Sequence, residues 1–291
     1  MYPGAFDYRS AGTFAEAVSM LGDLGPEAKI LAGGCSLIPL MKFRLAEPSH
    51  LIDIGRVPDA AYIRETGEGL RVGALTREAD IETSRLIAAR YPILADASAV
   101  IADPTVRNMG TLGGNLAHGD PANDHPAVML ALRASVVAIG PDGERLIPAD
   151  DFFVDLFQTA LAPGEVLTEI RIPQPATGSG AAYVKFERQV GDFAVAAAAA
   201  AVRVEHGRIA EASVALTNAG PTVVRAEAAE AVLTGRAPDD DALKEAAAAA
   251  RTEIEPWPDL RGGVEFKRRL AGVALERALR VALRRAVDGE R

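Results

Sequence analysis

Two double glycines constrain this 291-residue chain more than any other feature. They stand in Ala32-Gly-Gly-Cys-Ser-Leu37 and Thr111-Leu-Gly-Gly-Asn-Leu116, each joining an apolar stretch to hydrogen-bonding residues. Consecutive glycines let successive backbone N–H groups turn toward one concave side, a geometry suited to an anion. The first pair leads into a helical pattern, where free N–H groups and the helix dipole favour phosphate, and Ser36 adds a hydroxyl donor. Taken singly, each pair reads as a tight turn. Taken together, they suit a diphosphate, which has two charged groups to satisfy, and so point toward a dinucleotide. Neither follows G-x-G-x-x-G or G-x-x-x-x-G-K-[ST], which removes the Rossmann and P-loop readings.

Composition removes further classes. Basic residues number 31 against 40 acidic ones, and the net charge of −9 argues against a nucleic-acid binder. The single cysteine, Cys35, excludes an intramolecular disulfide, and it is too few thiolates for an iron–sulfur cluster. His50, His118, His125 and His206 form no zinc-binding spacing, so no metal site is expected. No apolar run has transmembrane length and Met1–Asp7 lacks a signal-peptide pattern, so a cytoplasmic location is expected.

The apolar periodicity predicts a helix from Thr13 to about Gly25, a strand at Lys29–Ala32, a helix over Leu37–Arg44 and a strand at Pro48–Ile54. Strands at Ala61–Glu65 and Leu70–Val72 and a helical stretch from Thr76 to about Ala99 follow. Asp103–Asp124 reads as a long functional loop, and Pro126 opens a short helix. Strands near Ser135–Ile139, Arg145–Ile147 and Val166–Ile172 close this unit, and Pro173–Gly180 reads as a linker. Beyond it, Ala181–Gln189, Ala194–Val204 and Ala210–Thr217 read as a three-stranded meander, the alanine run Ala196–Ala201 being its close-packed central strand. Helices at about Arg225–Thr234, Asp239–Thr252 and Val264–Ala286 complete the chain.

Among the polar residues, Asp120, Asn123 and Asp124 have two readings. They accept hydrogen bonds from ligand hydroxyls, or Asp124 caps the helix opening at Pro126. Cys35 is either a thiol activated at a helix start or a small residue filling a crowded loop. Lys185 and Phe193, on adjacent strands either side of Gly191-Asp192, suit the edge and face of a flat cofactor, or ordinary core packing.

In order and spacing, Ala32-Gly-Gly-Cys-Ser-Leu-Ile-Pro39, Thr111-Leu-Gly-Gly-Asn115, Gly119-Asp-Pro-Ala-Asn-Asp124 and Gly191-Asp-Phe193 resemble the FAD-binding medium subunits of molybdenum hydroxylases, the xanthine dehydrogenase family. The likeness is greatest to its aerobic carbon monoxide dehydrogenase branch and covers nearly the whole chain. The resemblance implies an α+β chain with a vanillyl-alcohol-oxidase-type FAD-binding fold in two subdomains, 1–57 and 58–176. A C-terminal domain, 177–291, would hold a three-stranded antiparallel sheet with three helices.

By matched position, Ala32, Gly33, Gly34, Cys35, Ser36 and Leu37 would hold the FAD diphosphate from one side, and Thr111, Gly113, Gly114 and Asn115 from the other. Asp124 would take a sugar or ribityl hydroxyl, Ile101 and Ala102 would line the site, and Leu161 would lie near the adenine. Lys185 would approach the flavin ring and Phe193 cover a face of it. Two positions depart from the family pattern: Cys35 stands where His or Gln is usual, and Phe193 where Tyr is common.

No catalytic base or nucleophile is recognised. The implied function is an electron-transfer subunit, with [2Fe–2S] clusters on a small partner subunit and the molybdopterin cofactor on a large one, in a dimer of heterotrimers. Such a complex would bring the chain to the inner face of the membrane only as a peripheral component. The alternatives are a free-standing FAD-dependent oxidase or reductase, and a nucleotide-sensing module without redox turnover.

Overall fold

In the computed structural model, residues 2–287 are described. The first unit runs β1 (Asp7–Ser10), α1 (Phe14–Leu24), β2 (Ala28–Leu31), α2 (Leu37–Lys42) and β3 (His50–Asp53). Its three strands are parallel in the order β1-β3-β2, and the helices make the crossovers that parallel pairing requires. Thr13 caps α1 as the sequence predicts, accepting from the Glu16 amide at 3.1 Å. Sequence reasoning misses β1, because all four of its residues are exposed and none carries an apolar alternation.

The second unit runs β4 (Ile63–Thr66), β5 (Gly69–Gly73), α3 (Glu78–Thr83), α4 (Arg85–Arg90), α5 (Pro92–Ala99), α6 (Pro104–Arg107), α7 (Leu112–His118), α8 (His125–Ala131), β6 (Ser135–Gly140), β7 (Gly143–Pro148), α9 (Ala149–Phe152), β8 (Phe153–Asp155), β9 (Gln158–Thr159) and β10 (Val166–Pro173). Five strands form an antiparallel sheet in the order β4-β5-β10-β6-β7. The helical stretch expected over 76–99 is three helices. Ser84 caps α4 through the Ile87 amide, and Pro92 at the head of α5 cannot donate to the preceding turn. The long loop expected over 103–124 is also corrected, since α6 and α7 lie within it and the second double glycine sits in the first turn of α7.

The third unit holds β11 (Ser179–Phe186), β12 (Ala196–Glu205), β13 (Arg208–Thr217), β14 (Val224–Arg225), α10 (Glu227–Leu233), α11 (Asp240–Ala250) and α12 (Val264–Val287). The three-stranded meander is present, and the two-residue β14 extends its edge.

The alanine run has a packing reason. Ala197 and Ala199 join the core shared with the second unit, whereas Ala196, Ala198 and Ala200 join the core beneath α12. A strand alternates its side chains between faces, so a strand packed closely on both favours the smallest apolar residue over helix propensity. The approach on the α12 side is tight: a Cβ on Gly180 of β11 would lie 2.1 Å from the Ala282 carbonyl oxygen.

Candidate functional site

The two double glycines converge. A Cβ on Gly33 would lie 2.3 Å from the Met109 carbonyl oxygen and 2.9 Å from the Gly110 Cα. A Cβ on Gly114 would come within 3.9 Å of the Ala32 Cβ, and the Cys35 thiol lies 3.8 Å from the Val106 carbonyl oxygen. The segment after β2 therefore lies against the segment that enters α7, although nearly eighty residues separate them in sequence.

The two halves differ as hydrogen-bond donors. Among the described residues, the backbone N–H groups of Gly33 through Leu37 donate no hydrogen bond, and Ser36 makes no side-chain cap bond. Gly34 adopts φ +75°, the left-handed conformation that turns this segment. At α7 the early amides are engaged: Leu112 donates to the Thr76 carbonyl at 3.0 Å, Gly113 to the Ala74 carbonyl at 2.9 Å and Gly114 to Thr111 Oγ1 at 3.1 Å.

The symmetrical pair of amide cradles expected from sequence is corrected accordingly. The first segment has free donors. The second offers close approach, the Thr111 hydroxyl and Asn115, whose Oδ1 is buried without a partner among the described residues. Gly113 is required by packing, since a Cβ there would lie 2.7 Å from the Ala74 Cβ. Helix dipole contributes little, because α2 has only six residues.

The thiol activation considered for Cys35 is also corrected. Burial pushes its pKa up, and the thiol lies against the carbonyl oxygens of Gly33 and Val106. It fills the seam between the two segments.

Asp124 precedes α8 but makes no capping bond, which removes the capping alternative. Its buried carboxylate accepts from the Tyr183 hydroxyl at 2.7 Å through Oδ1 and from Lys185 Nζ at 3.1 Å through Oδ2. Burial pushes the Asp124 pKa up, opposed by the Lys185 charge and the Tyr183 hydrogen bond. Lys185 Nζ also donates to the Val100 carbonyl at 2.9 Å, beside Ile101 and Ala102. Asn123 Nδ2 donates to the Asn115 carbonyl at 2.8 Å, which links this cluster to α7.

Phe193 lies in the connection before β12, not on a strand, and 45% of its surface is exposed, which excludes ordinary core packing. That connection rests on the second unit: a Cβ on Gly191 would lie 2.8 Å from the Ala102 carbonyl oxygen. The segments 32–37 and 111–115 are thus joined through Asn123 to Asp124 and Lys185 beside residues 101–102, a belt against which the connection carrying Phe193 rests. Leu161 lies off it, packed on the core of the second unit just after β9, whose Gln158 abuts Gly119 at the far end of α7.

Sequence reasoning misses three residues here. Tyr183 is one. The others are Glu78 and Ser98, which form a fully buried cluster with His125. His125 Nε2 lies 2.7 Å from Glu78 Oε2, and the Ser98 hydroxyl donates to the same oxygen at 2.9 Å. The Glu78 amide donates to the Gly110 carbonyl at 3.1 Å, so the cluster backs directly onto the entrance to α7. These partners lie tens of residues apart and share no local pattern, so no sequence signal singles them out.

Comparison with known proteins gives matches over both parts of the chain. Residues 4–175 match a family described as the FAD binding domain in molybdopterin dehydrogenase. Residues 181–282 match the CO dehydrogenase flavoprotein C-terminal domain. The chain is 46% identical to the carbon monoxide dehydrogenase medium chain of Hydrogenophaga pseudoflava, covering 97% of this chain and 98% of that one. It is 41% identical to the 6-hydroxypseudooxynicotine dehydrogenase complex subunit alpha of Paenarthrobacter nicotinovorans, covering 98% and 97%. Among solved structures, a chain of carbon monoxide dehydrogenase from H. pseudoflava, in a form lacking the Mo-pyranopterin moiety, superposes with a TM-score of 0.96 at 48% identity. That superposition covers 98% of this chain and 99% of that one.

Proposed function

Because the chain belongs to the FAD-binding family of molybdopterin dehydrogenases and carries the CO dehydrogenase flavoprotein C-terminal domain, we propose that it is the flavin-bearing medium subunit of a heteromeric molybdenum hydroxylase. In this role it passes electrons from an iron–sulfur partner to a terminal acceptor. The observation that supports the reading is the convergence of a segment with unpaired amides, Gly33–Leu37, on a helix start where Asn115 Oδ1 is buried without a partner. That combination suits an anionic, hydroxyl-rich dinucleotide.

Bound FAD supplies the electron-carrying chemistry, and the chain's residues place it. The amides of Gly33–Leu37, next to Ala32, and the Ser36 hydroxyl take the diphosphate, opposite Thr111, Gly114 and Asn115. Gly113 admits the Ala74 wall behind them, and Cys35 closes the seam. Asp124 accepts a ribityl or ribose hydroxyl with the lone pairs left by Tyr183 and Lys185. Ile101 and Ala102 form an apolar wall, Leu161 flanks the adenine end, and Lys185 and Phe193 serve the ring end. Phenylalanine supplies a stacking face without a hydroxyl.

The functional units are residues 1–57 and 58–176, which bind FAD, and 177–291, which covers the ring end. The relatives' names support assembly with other subunits. We assign the [2Fe–2S] clusters to a small subunit and the molybdopterin cofactor to a large one, in a dimer of heterotrimers in the cytoplasm. Among the described residues, no helix is long and apolar enough to cross a membrane. Its likeness to a carbon monoxide dehydrogenase medium chain favours carbon monoxide as substrate of the complex, although a 41%-identical relative belongs to a 6-hydroxypseudooxynicotine dehydrogenase complex.

The test is a visible absorption spectrum of the purified chain, with and without its partner subunits. The account expects a flavin spectrum, with substrate-dependent bleaching only in the complex. Bleaching by substrate in the isolated chain would overturn it in favour of a free-standing oxidase or reductase.

A further inference from the structure

We propose that Tyr183, a residue of the C-terminal unit, is a positioning residue for the cofactor site: its hydroxyl holds the Asp124 carboxylate in place for a sugar or ribityl hydroxyl. The inference rests on the assignment of Asp124 to the cofactor made above.

Asp124 stands where a helix cap is usual, yet its side chain bonds nothing on α8. Its two oxygens are held instead by β11, through Tyr183 at 2.7 Å and Lys185 at 3.1 Å. The Tyr183 hydroxyl meets a second oxygen, Thr217 Oγ1, at 3.4 Å, and the ring packs in the core shared with the second unit. Its backbone is fixed as well. The Tyr183 amide approaches Asp96 Oδ2 at 3.3 Å, and Arg285 clamps Asp96 with bonds of 2.6 and 3.0 Å while also donating to the Ala181 carbonyl at 2.7 Å. The phenol is thus held at ring, hydroxyl and backbone. The cofactor-side residue Asp124 is therefore set by the C-terminal unit.

The electrostatics agree. Burial and the neighbouring Asp124 push the Tyr183 pKa well up, so the phenol remains a donor. The Lys185 charge, then the Tyr183 and Lys185 hydrogen bonds, favour the carboxylate against burial, with a smaller contribution from the neighbouring His125. The other charges nearby are Glu187, 3.4 Å from Lys185 Nζ, and Glu78, bonded to His125. Removing the phenol hydroxyl keeps the ring but withdraws one of the donors that favour the ionised carboxylate. Asp124 then protonates at higher pH and loses acceptor capacity.

The experiment measures FAD dissociation constants of the full chain against pH for wild type, Tyr183→Phe, Asp124→Asn and the double variant, with thermal melts alongside. Tyr183→Phe is expected to bind FAD about tenfold more weakly at neutral pH. The acid limb of its affinity profile moves to higher pH, and the variant has no further effect in the Asp124→Asn background. Wild-type affinity with an unmoved acid limb, while Asp124→Asn binds weakly, would overturn the positioning role. Unchanged affinity in Asp124→Asn would instead overturn the assignment beneath it. If the melts show that Tyr183→Phe does not fold, Thr217→Val decides: a smaller shift of the acid limb in the same direction supports the proposal, and an unmoved limb overturns it.

Discussion

Asn115 and Ser36 are polar residues whose side chains bond nothing else in the described protein, although Asn115 Oδ1 is buried. Replacing either by alanine removes no internal hydrogen bond. Each should weaken FAD binding by roughly three- to tenfold while stability stays within about 0.5 kcal/mol of wild type. A flavin titration and a denaturant melt on the same samples check both halves of this statement. Gly33→Val provides the contrast: its Cβ would lie 2.3 Å from the Met109 carbonyl, so flavin content and stability fall together, by about 1–3 kcal/mol for the latter. Both double glycines were legible in the sequence as special positions. Which of their amides stay free was not, because the Ala74 and Thr76 carbonyls that occupy the α7 amides lie some forty residues away. Cys35 shows the same limit, since burial decides its thiol and neighbouring residues do not reveal burial.

At the scale of elements, the Glu78–Ser98–His125 cluster ties the start of α3, the end of α5 and the start of α8 together behind the site. Burial alone lowers the His125 pKa, but the charge and hydrogen bond of Glu78 together with the charge of Asp124 outweigh it, and the net direction is upward from 6.5. A histidine whose folded pKa is raised contributes stability that is fully present below its unfolded pKa and lost as the pH rises through the folded value. Melting the wild type and His125→Asn across that range should therefore show the wild type's advantage shrinking toward alkaline pH. A constant difference would contradict the pairing. Helices with strong periodicity, such as α1 and α12, were legible from local pattern alone, whereas β12 was legible from its β-branched neighbours and flanking turns against the helix propensity of alanine. The exposed edge strand β1 and the breaks between α3, α4 and α5 were not, because an edge without an apolar face and a cap inside a helical pattern leave weak local signals.

For the whole molecule, the fold brings a parallel unit, an antiparallel unit and an alanine-cored C-terminal sheet to one belt of residues. The C-terminal unit reaches that belt through Lys185, Tyr183 and the 187–195 connection, and Arg285–Asp96 fastens it. The central claim is that the belt is built around a diphosphate gripped between Gly33–Leu37 and the entrance to α7. The most direct test is the ratio of dissociation constants for riboflavin and FAD on the apo-chain, since the two share the ring and differ in the diphosphate and adenosine. The account predicts FAD binding at least about a hundredfold tighter, from two or more charge-assisted amide bonds of about 1.5 kcal/mol each. Equal affinity for riboflavin and FAD would contradict it.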